Sequence, residues 1–350
     1  MSTGQTSRQR VRNALTFSRP DRVPRDVWVL PWVTAHYPGA WAEMNGRFPG
    51  DIATAPSPYR PSSRERGDQY AVGEYTDEWG CVFQSVQAGA IGEVKDPILR
   101  DTADWQSIRP PYEVLPDKDE ADARDGVNRF CGETDLFVKA ACCPRPWERY
   151  QFIRGTENSL IDVMMPEAGS DELLRRIHEF YLKELEFWIK TDVDAIFFMD
   201  DWGAQRQLLI PPRVWRERFK PLYRDYCDIA HANGKFALMH SDGCITEIYE
   251  DLIEVGVDAL NSQLFVMDMA ELERTAKGRI TFWGEICRQH VLTASDPEVG
   301  RDAVRKVAEH LYDPAGGIIA QFEFGLGANP KTATAILEEW ERVDGEARGD

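Results

Sequence analysis

AIFFMDDWG at 195–203 and KFALMHSDG at 235–243 follow one plan: a short, wholly apolar run delivers polar residues into a glycine. Runs apolar at every position suit strands buried on both faces, as in a parallel sheet covered by helices. Outward from them, residues 171–190 carry Leu174, Ile177, Tyr181, Leu185, Trp188 and Ile189 at helical spacing, ahead of a strand at 195–199. Residues 212–232 read as a second helix, with proline in its first turn and Asn233-Gly234 at its end, before a strand at 235–239. The alternation continues with a helix at 245–255 closed by Gly256, strands at 257–260 and 280–283, a helix at 297–311 begun by Asp296, and a strand at 317–321.

This order permits a closed barrel or an open doubly wound sheet, and no opening glycine fingerprint favours the open, nucleotide-binding form. The expected fold class is therefore α/β, a (β/α)8 TIM barrel with an elaborated N-terminal region. Residues 8–17 read as a short helix and 27–30 as the first core strand. From 31 to 130 a scatter of prolines breaks any long element, so this stretch is expected to be an insertion or elaboration within a single domain spanning 1–350. Inside it, YAVGEYTDEWGCVFQS at 70–85 alternates like a hairpin turning near Asp77 and Gly80.

Composition narrows the function. The 350 residues hold 41 Lys plus Arg against 59 Asp plus Glu, a net charge of −18 that repels a phosphate backbone and argues against a nucleic-acid partner. Seven cysteines, odd in number and irregular in spacing, read as free thiols in a reducing compartment. The start, MSTGQTSRQRVRNALTF, lacks the apolar stretch of a signal peptide, and no segment is long and apolar enough for a membrane span, so the expected location is the cytoplasm. A homodimer is the symmetry-based default.

Five successive strand ends carry polar groups toward one face: Asp200-Asp201-Trp202, His240-Ser241-Asp242, Asn261-Ser262-Gln263, Gly284-Glu285 and Gln321-Phe322-Glu323. In a barrel that face is the catalytic mouth. Acids after strands also cap helices, but His240, Glu285 and Glu323 follow strongly apolar runs where an unpaired polar group costs desolvation, and a shared site satisfies them together. His240, Asp242 and Glu323 form a candidate set for a divalent metal, zinc or a harder ion. Asp201, His240 and Glu285 are the candidate proton-handling residues. Gln205, Asn261, Gln263 and Gln321 are candidates to position polar substrate atoms, with Trp202 and Trp283 as apolar walls. Asp200 is expected to pair with an arginine.

The chain resembles the uroporphyrinogen decarboxylase superfamily, which includes methyl transferases acting on cobalamin-bound methyl groups. The likeness rests on RVRNALTFSRPDRVP at 10–24, LLIPPRVWRERFKPLYR at 208–224, HANGKFALMHSDG at 231–243, LIEVGVDALNSQ at 252–263, FWGEICRQ at 282–289 and GGIIAQFEFGLGANP at 316–330. The resemblance implies a (β/α)8 barrel with its cleft at the carboxyl ends of the strands. It implies too that true porphyrinogen decarboxylation needs arginines in the loop after Val29, which instead reads LPWVTAHYPGAW. In the related methyl transferases zinc is held by a histidine and two cysteines; His240 matches the first, whereas Asp242 and Phe322-Glu323 stand where sulfur is expected. The reading is thus a metal-dependent methyltransferase or demethylase of a small organic substrate, working with a corrinoid on a separate protein. The alternatives are a decarboxylase of a small organic acid and a non-catalytic ligand-binding barrel.

Overall fold

The computed structural model describes residues 4–117 and 120–349; residues 1–3 and 350, and residues 118 and 119 of the 31–130 stretch, lie outside the described residues. Eight parallel strands form a nearly closed barrel: β1 (Arg25–Val29), β2 (Ile52–Thr54), β3 (Phe137–Lys139), β4 (Ala195–Met199), β5 (Phe236–Ser241), β6 (Ala259–Ser262), β7 (Thr281–Trp283) and β8 (Ile318–Phe324). From β2 to β8 each pairs with the next in chain order, and β8 returns to β1 with Trp28 opposite Glu323, while β1 and β2 are not paired. The seam between β1 and β2 is bridged where the Asp51 amide donates to the Arg25 carbonyl at 2.8 Å. This is the (β/α)8 TIM barrel that the alternation of apolar runs and helices predicts.

The barrel interior is filled by Phe137, Ala195, Phe197, Leu238, Ala259, Trp283 and Ile319, and helix Ser7–Leu15 closes its amino-terminal end by adding Val11 and Leu15 to the same cluster. Outside, helix Ala168–Trp188 buries Leu173, Ile177, Phe180, Leu185 and Trp188. Helix Pro297–Leu311 starts where the Asp296 side chain accepts the Glu298 amide. Where one helix is expected over 212–232 there are two, Pro212–Arg218 and Lys220–Ala232. Pro221 has no N–H for the carbonyl four residues back, so the ladder breaks at Phe219.

The stretch 31–130 is only partly an elaboration, because it also supplies β2 and the helix Ala121–Glu133. The remainder includes an antiparallel sheet of Gly73–Thr76, Val82–Ser85 and Glu93–Val94. Its first turn is the expected one: Asp77 Oδ1 accepts the amides of Trp79 and Cys81 at 3.0 and 2.8 Å. All seven cysteines are free, and among the described residues no helix is long and apolar enough to cross a membrane.

Candidate active site

Strand register places the polar ends side by side. Met199 of β4 lies opposite His240 of β5, and His240 opposite Asn261 of β6. The loops that follow β4 and β5 are laced together: the Trp202 amide donates to Ser241 Oγ at 3.1 Å, the Gly203 amide to the Asp242 carbonyl at 3.0 Å, and the Cys244 amide to the Ala204 carbonyl at 2.8 Å. A Cβ on Gly203 would come within 2.3 Å of the Gly243 carbonyl carbon, and Gly243 has φ of +81°, so this approach needs glycine on both sides. Asp201 and Asp242 are thereby brought to one histidine.

His240 is buried, with Nε2 3.5 Å from Asp201 Oδ1 and 3.6 Å from Asp242 Oδ1. On its other side Nδ1 lies 2.5 Å from Asn261 Oδ1, while Asn261 Nδ2 donates to the Trp283 carbonyl at 2.5 Å. A carbonyl only accepts, so the Trp283 contact orients the Asn261 amide, and its Oδ1 then requires a proton on His240 Nδ1. In a neutral ring the free lone pair is on Nε2, facing two carboxylates. Burial disfavours the charged ring, but the contact with Asp201 and the charge of Asp242 outweigh it and raise the imidazole pKa to about 9. Burial works the opposite way on Asp201, and its contact with His240 prevails, holding the carboxyl below its usual value.

Nε2 of His240 and one oxygen each from Asp201 and Asp242 lie within 4.8 Å of one another, a spacing that fits one divalent cation. Asp242 Oδ1 is buried and accepts no hydrogen bond. Glu323, expected as the third ligand, is not in this cluster: Arg288 Nη1 holds it at 3.3 Å, and Asp201 stands in its place. Arg288 also pairs with Asp242 through Nη2 and lies 3.7 Å from Glu285 Oε1. Both oxygens of Glu285 are buried without a hydrogen-bond partner, and burial pushes its pKa up to about 7.

The other expected residues divide. Gln205 and Gln263 line a cavity of about 180 Å³ beside Glu285 and Arg288, and Gln263 Oε1 accepts the Gly243 amide at 3.1 Å. Gln321 is buried, with neither side-chain polar atom hydrogen-bonded. Trp202 and Trp283, expected as pocket walls, are wholly buried. Trp202 stacks on Trp147 and donates to Tyr223 at 2.7 Å, whereas Trp283 faces the barrel interior and donates to Asp26 at 3.0 Å. Asp200 pairs with no arginine; it accepts the amides of Trp147 and Glu148 at 3.0 and 2.7 Å and so anchors helix Pro146–Arg154.

Three contributors went unassigned in the sequence. Arg288 sits three residues beyond Glu285, Trp28 lies with its ring 5.3 Å from that of His240, and the Asp26 carboxyl beneath is pushed by burial to about 6. The first had a readable sign, a cation at the carboxyl end of a strand that already ends in an acid. The other two depend on which way β1 faces.

A barrel whose polar and titratable residues gather at the carboxyl ends of its strands has the architecture of a TIM-barrel enzyme. The profile of the uroporphyrinogen decarboxylase (URO-D) family matches residues 80–340, and the chain belongs to that family. Among curated proteins none matches. Among solved structures, a methyltransferase from Methanosarcina mazei is 12% identical, with a TM-score of 0.68 over 97% of this chain and 99% of its own. A B12-independent methionine synthase from Shewanella, also 12% identical, has a TM-score of 0.35 over 63% of this chain and 64% of its own. The Methanosarcina likeness is one of fold.

Proposed function

We propose that this chain is a metal-dependent methyltransferase or demethylase that acts on a small organic substrate and exchanges the methyl group with a corrinoid carried by a separate protein. The observation that carries the reading is the orientation of His240, set by Asn261 so that Nε2 faces two carboxylates, one of which has a buried oxygen without a hydrogen-bond partner. Such a donor set suits a divalent cation. His240, Asp201 and Asp242 would hold it, and nitrogen and oxygen donors suit zinc or a harder ion. A bound divalent ion supplies Lewis acidity toward the substrate atom that gains or loses the methyl group.

The chain's own residues do the rest. Asn261 orients the imidazole from outside the cluster. Arg288 offsets the crowding of Asp242, Glu285 and Glu323. Glu285, poised near neutrality, gives or takes a proton at its carboxyl oxygen. Gln205 and Gln263 offer amides to polar substrate atoms in the adjoining cavity.

A second reading has one observation in its favour. Arg288 already pairs with Asp242, and a His240 protonated up to about pH 9 satisfies the same carboxylates without metal. In that form His240 is a general acid for decarboxylation of a small acid. Metal analysis of protein loaded separately with zinc, manganese and iron decides between the two. The methyltransferase reading expects one ion per chain, lost in His240→Ala and Asp201→Asn, and absorbance changes of a methylated corrinoid protein on turnover. A chain that retains none of the three metals overturns it.

A further inference from the structure

A cavity of about 610 Å³ lies between the small antiparallel sheet and the residues that follow β3. Six rings line it: Tyr59, Tyr75, Phe83, Phe152, Phe180 and Tyr181. Three arginines line it too, and their partners differ. Arg60 is held by Glu120 and the Leu115 carbonyl, and Arg149 by Asp77 and by Glu78 at 3.2 Å. Among the described residues Arg145 has no carboxylate within hydrogen-bond distance; it reaches Cys143 Sγ at 3.1 Å and the Cys143 carbonyl at 3.5 Å, and Glu148 stands 4.0 Å away. Its guanidinium has room for a planar anion, the geometry at which a carboxylate binds through both oxygens.

A second observation comes from the opposite wall. Glu184 is 8% exposed and lines the cavity; its Oε1 accepts from the Tyr59 hydroxyl at 2.7 Å, while Oε2 is buried with no hydrogen-bond partner. Burial pushes its carboxyl up to about 7, so near neutrality it can donate as well as accept. An unpartnered acid in an aromatic-walled cavity marks a place that a polar ligand atom completes.

We propose that this cavity binds an aromatic carboxylate, its ring among the six side-chain rings, its carboxylate on Arg145 and a polar ring substituent on Glu184 Oε2. The inference rests on the reading of the mouth as the site of a small organic substrate, and it names the class. Arg145 directly precedes the helix whose first amides are bound by Asp200, the residue before Asp201, so the anion anchor and the His240 cluster hang from adjoining parts of β4's end. A monoanion matches one guanidinium whose nearest carboxylate, Glu148, stands beyond hydrogen-bond distance. A phosphate dianion would meet Glu78 and Glu184 in the same cavity of a chain with net charge −18.

The test compares benzoate, its uncharged analogue benzamide, and para-hydroxybenzoate by calorimetry on the full chain in chelator. Wild type is expected to bind benzoate more tightly than benzamide. Arg145→Gln is expected to weaken benzoate about tenfold or more and benzamide less than about twofold, the loss of one charge-assisted contact. Arg145→Lys should fall between, and Glu184→Gln should remove the preference for para-hydroxybenzoate over benzoate, with circular dichroism checking each fold. Equal binding of benzoate and benzamide by wild type, or benzoate binding indifferent to Arg145→Gln, overturns the proposal without recourse to a destabilised variant. Metal retention is measured separately, on protein loaded without chelator: metal retained by a chain that does not bind benzoate sinks the anchor alone, and benzoate binding by a chain that retains none of the three metals sinks the metal centre alone.

Discussion

The two ends of the barrel treat buried polar groups in opposite ways. At the amino-terminal end Asp51, wholly buried, accepts from Ser7 Oγ at 2.7 Å, Arg10 at 2.6 Å, Arg22 at 2.8 and 2.9 Å, and the Arg25 amide at 2.8 Å. Asp194 likewise accepts from Arg8, Arg12 and the Val138 amide. At the mouth, both Glu285 oxygens, both Gln321 side-chain polar atoms and Asp242 Oδ1 are buried and unpartnered. Such a group carries a desolvation cost unless water or a ligand completes it. Saturated acids tie the N-terminal helix and first loops to the barrel; on the proposed reading, unsaturated ones mark where a ligand supplies the missing partners.

The largest test of that contrast is Asp51→Ala. It strands the Arg22 guanidinium and the Arg25 amide and leaves Arg10 only its pair with Asp21, and the expected loss is about 3–5 kcal/mol in urea unfolding. Asp242→Asn, at the other end, leaves Arg288 its contacts with Glu285 and Glu323 and should change stability by no more than about 1 kcal/mol. Equal losses at the two ends would break the comparison. Next comes Glu285→Gln, whose effect depends on pH. Burial raises this carboxyl from 4.5 to about 7, so between those values the folded chain keeps a proton that the unfolded chain has released. Stability therefore falls as pH rises through that window, and the variant, free of the penalty, should match wild type near pH 4 and exceed it by up to about 3 kcal/mol at pH 8. A pH-independent difference would mean that the acid has a partner.

The same contrast explains what could be read in advance. Strands buried on both faces announce themselves as apolar runs, and Ala195–Met199 is found where the run predicts it. Ile52–Thr54 carries only three residues between Asp51 and Ala55, too few for any period to register. Residues at strand ends were legible as a set, because the side of a barrel they face follows from topology. Which of them meet was not: Asp201 rather than Glu323 joins His240 because loops laced at Gly203 and Gly243 draw β4 and β5 together while Arg288 draws Glu323 off. Arg145 follows β3 in a proline-flanked stretch with no periodicity, and its lack of a carboxylate closer than Glu148 depends on arginines elsewhere finding acids first.

A smaller effect is expected at the lacing itself. Gly243→Ala forces a side chain into a left-handed backbone pressed against Gly203, at an expected cost of about 1–3 kcal/mol. Because the displaced loop carries Asp242, metal retention should fall by more than the stability loss alone accounts for, whereas Gly234→Ala, also at positive φ but with open space around it, should cost stability and leave metal retention unchanged.

The smallest expected effect is also the sharpest test of the mouth. Gln321 is 1% exposed, and its amide neither donates nor accepts a hydrogen bond among the described residues. Methionine is close to glutamine in length and brings no polar atoms to desolvate, so Gln321→Met should change stability by less than about 1 kcal/mol, in either direction. If the amide instead serves a ligand, the same substitution should weaken substrate affinity while leaving the unfolding curve in place. A loss of about 2 kcal/mol or more without ligand would show that Gln321 is saturated in the resting protein, as Asp51 is, and the distinction between the two ends would no longer hold at this position.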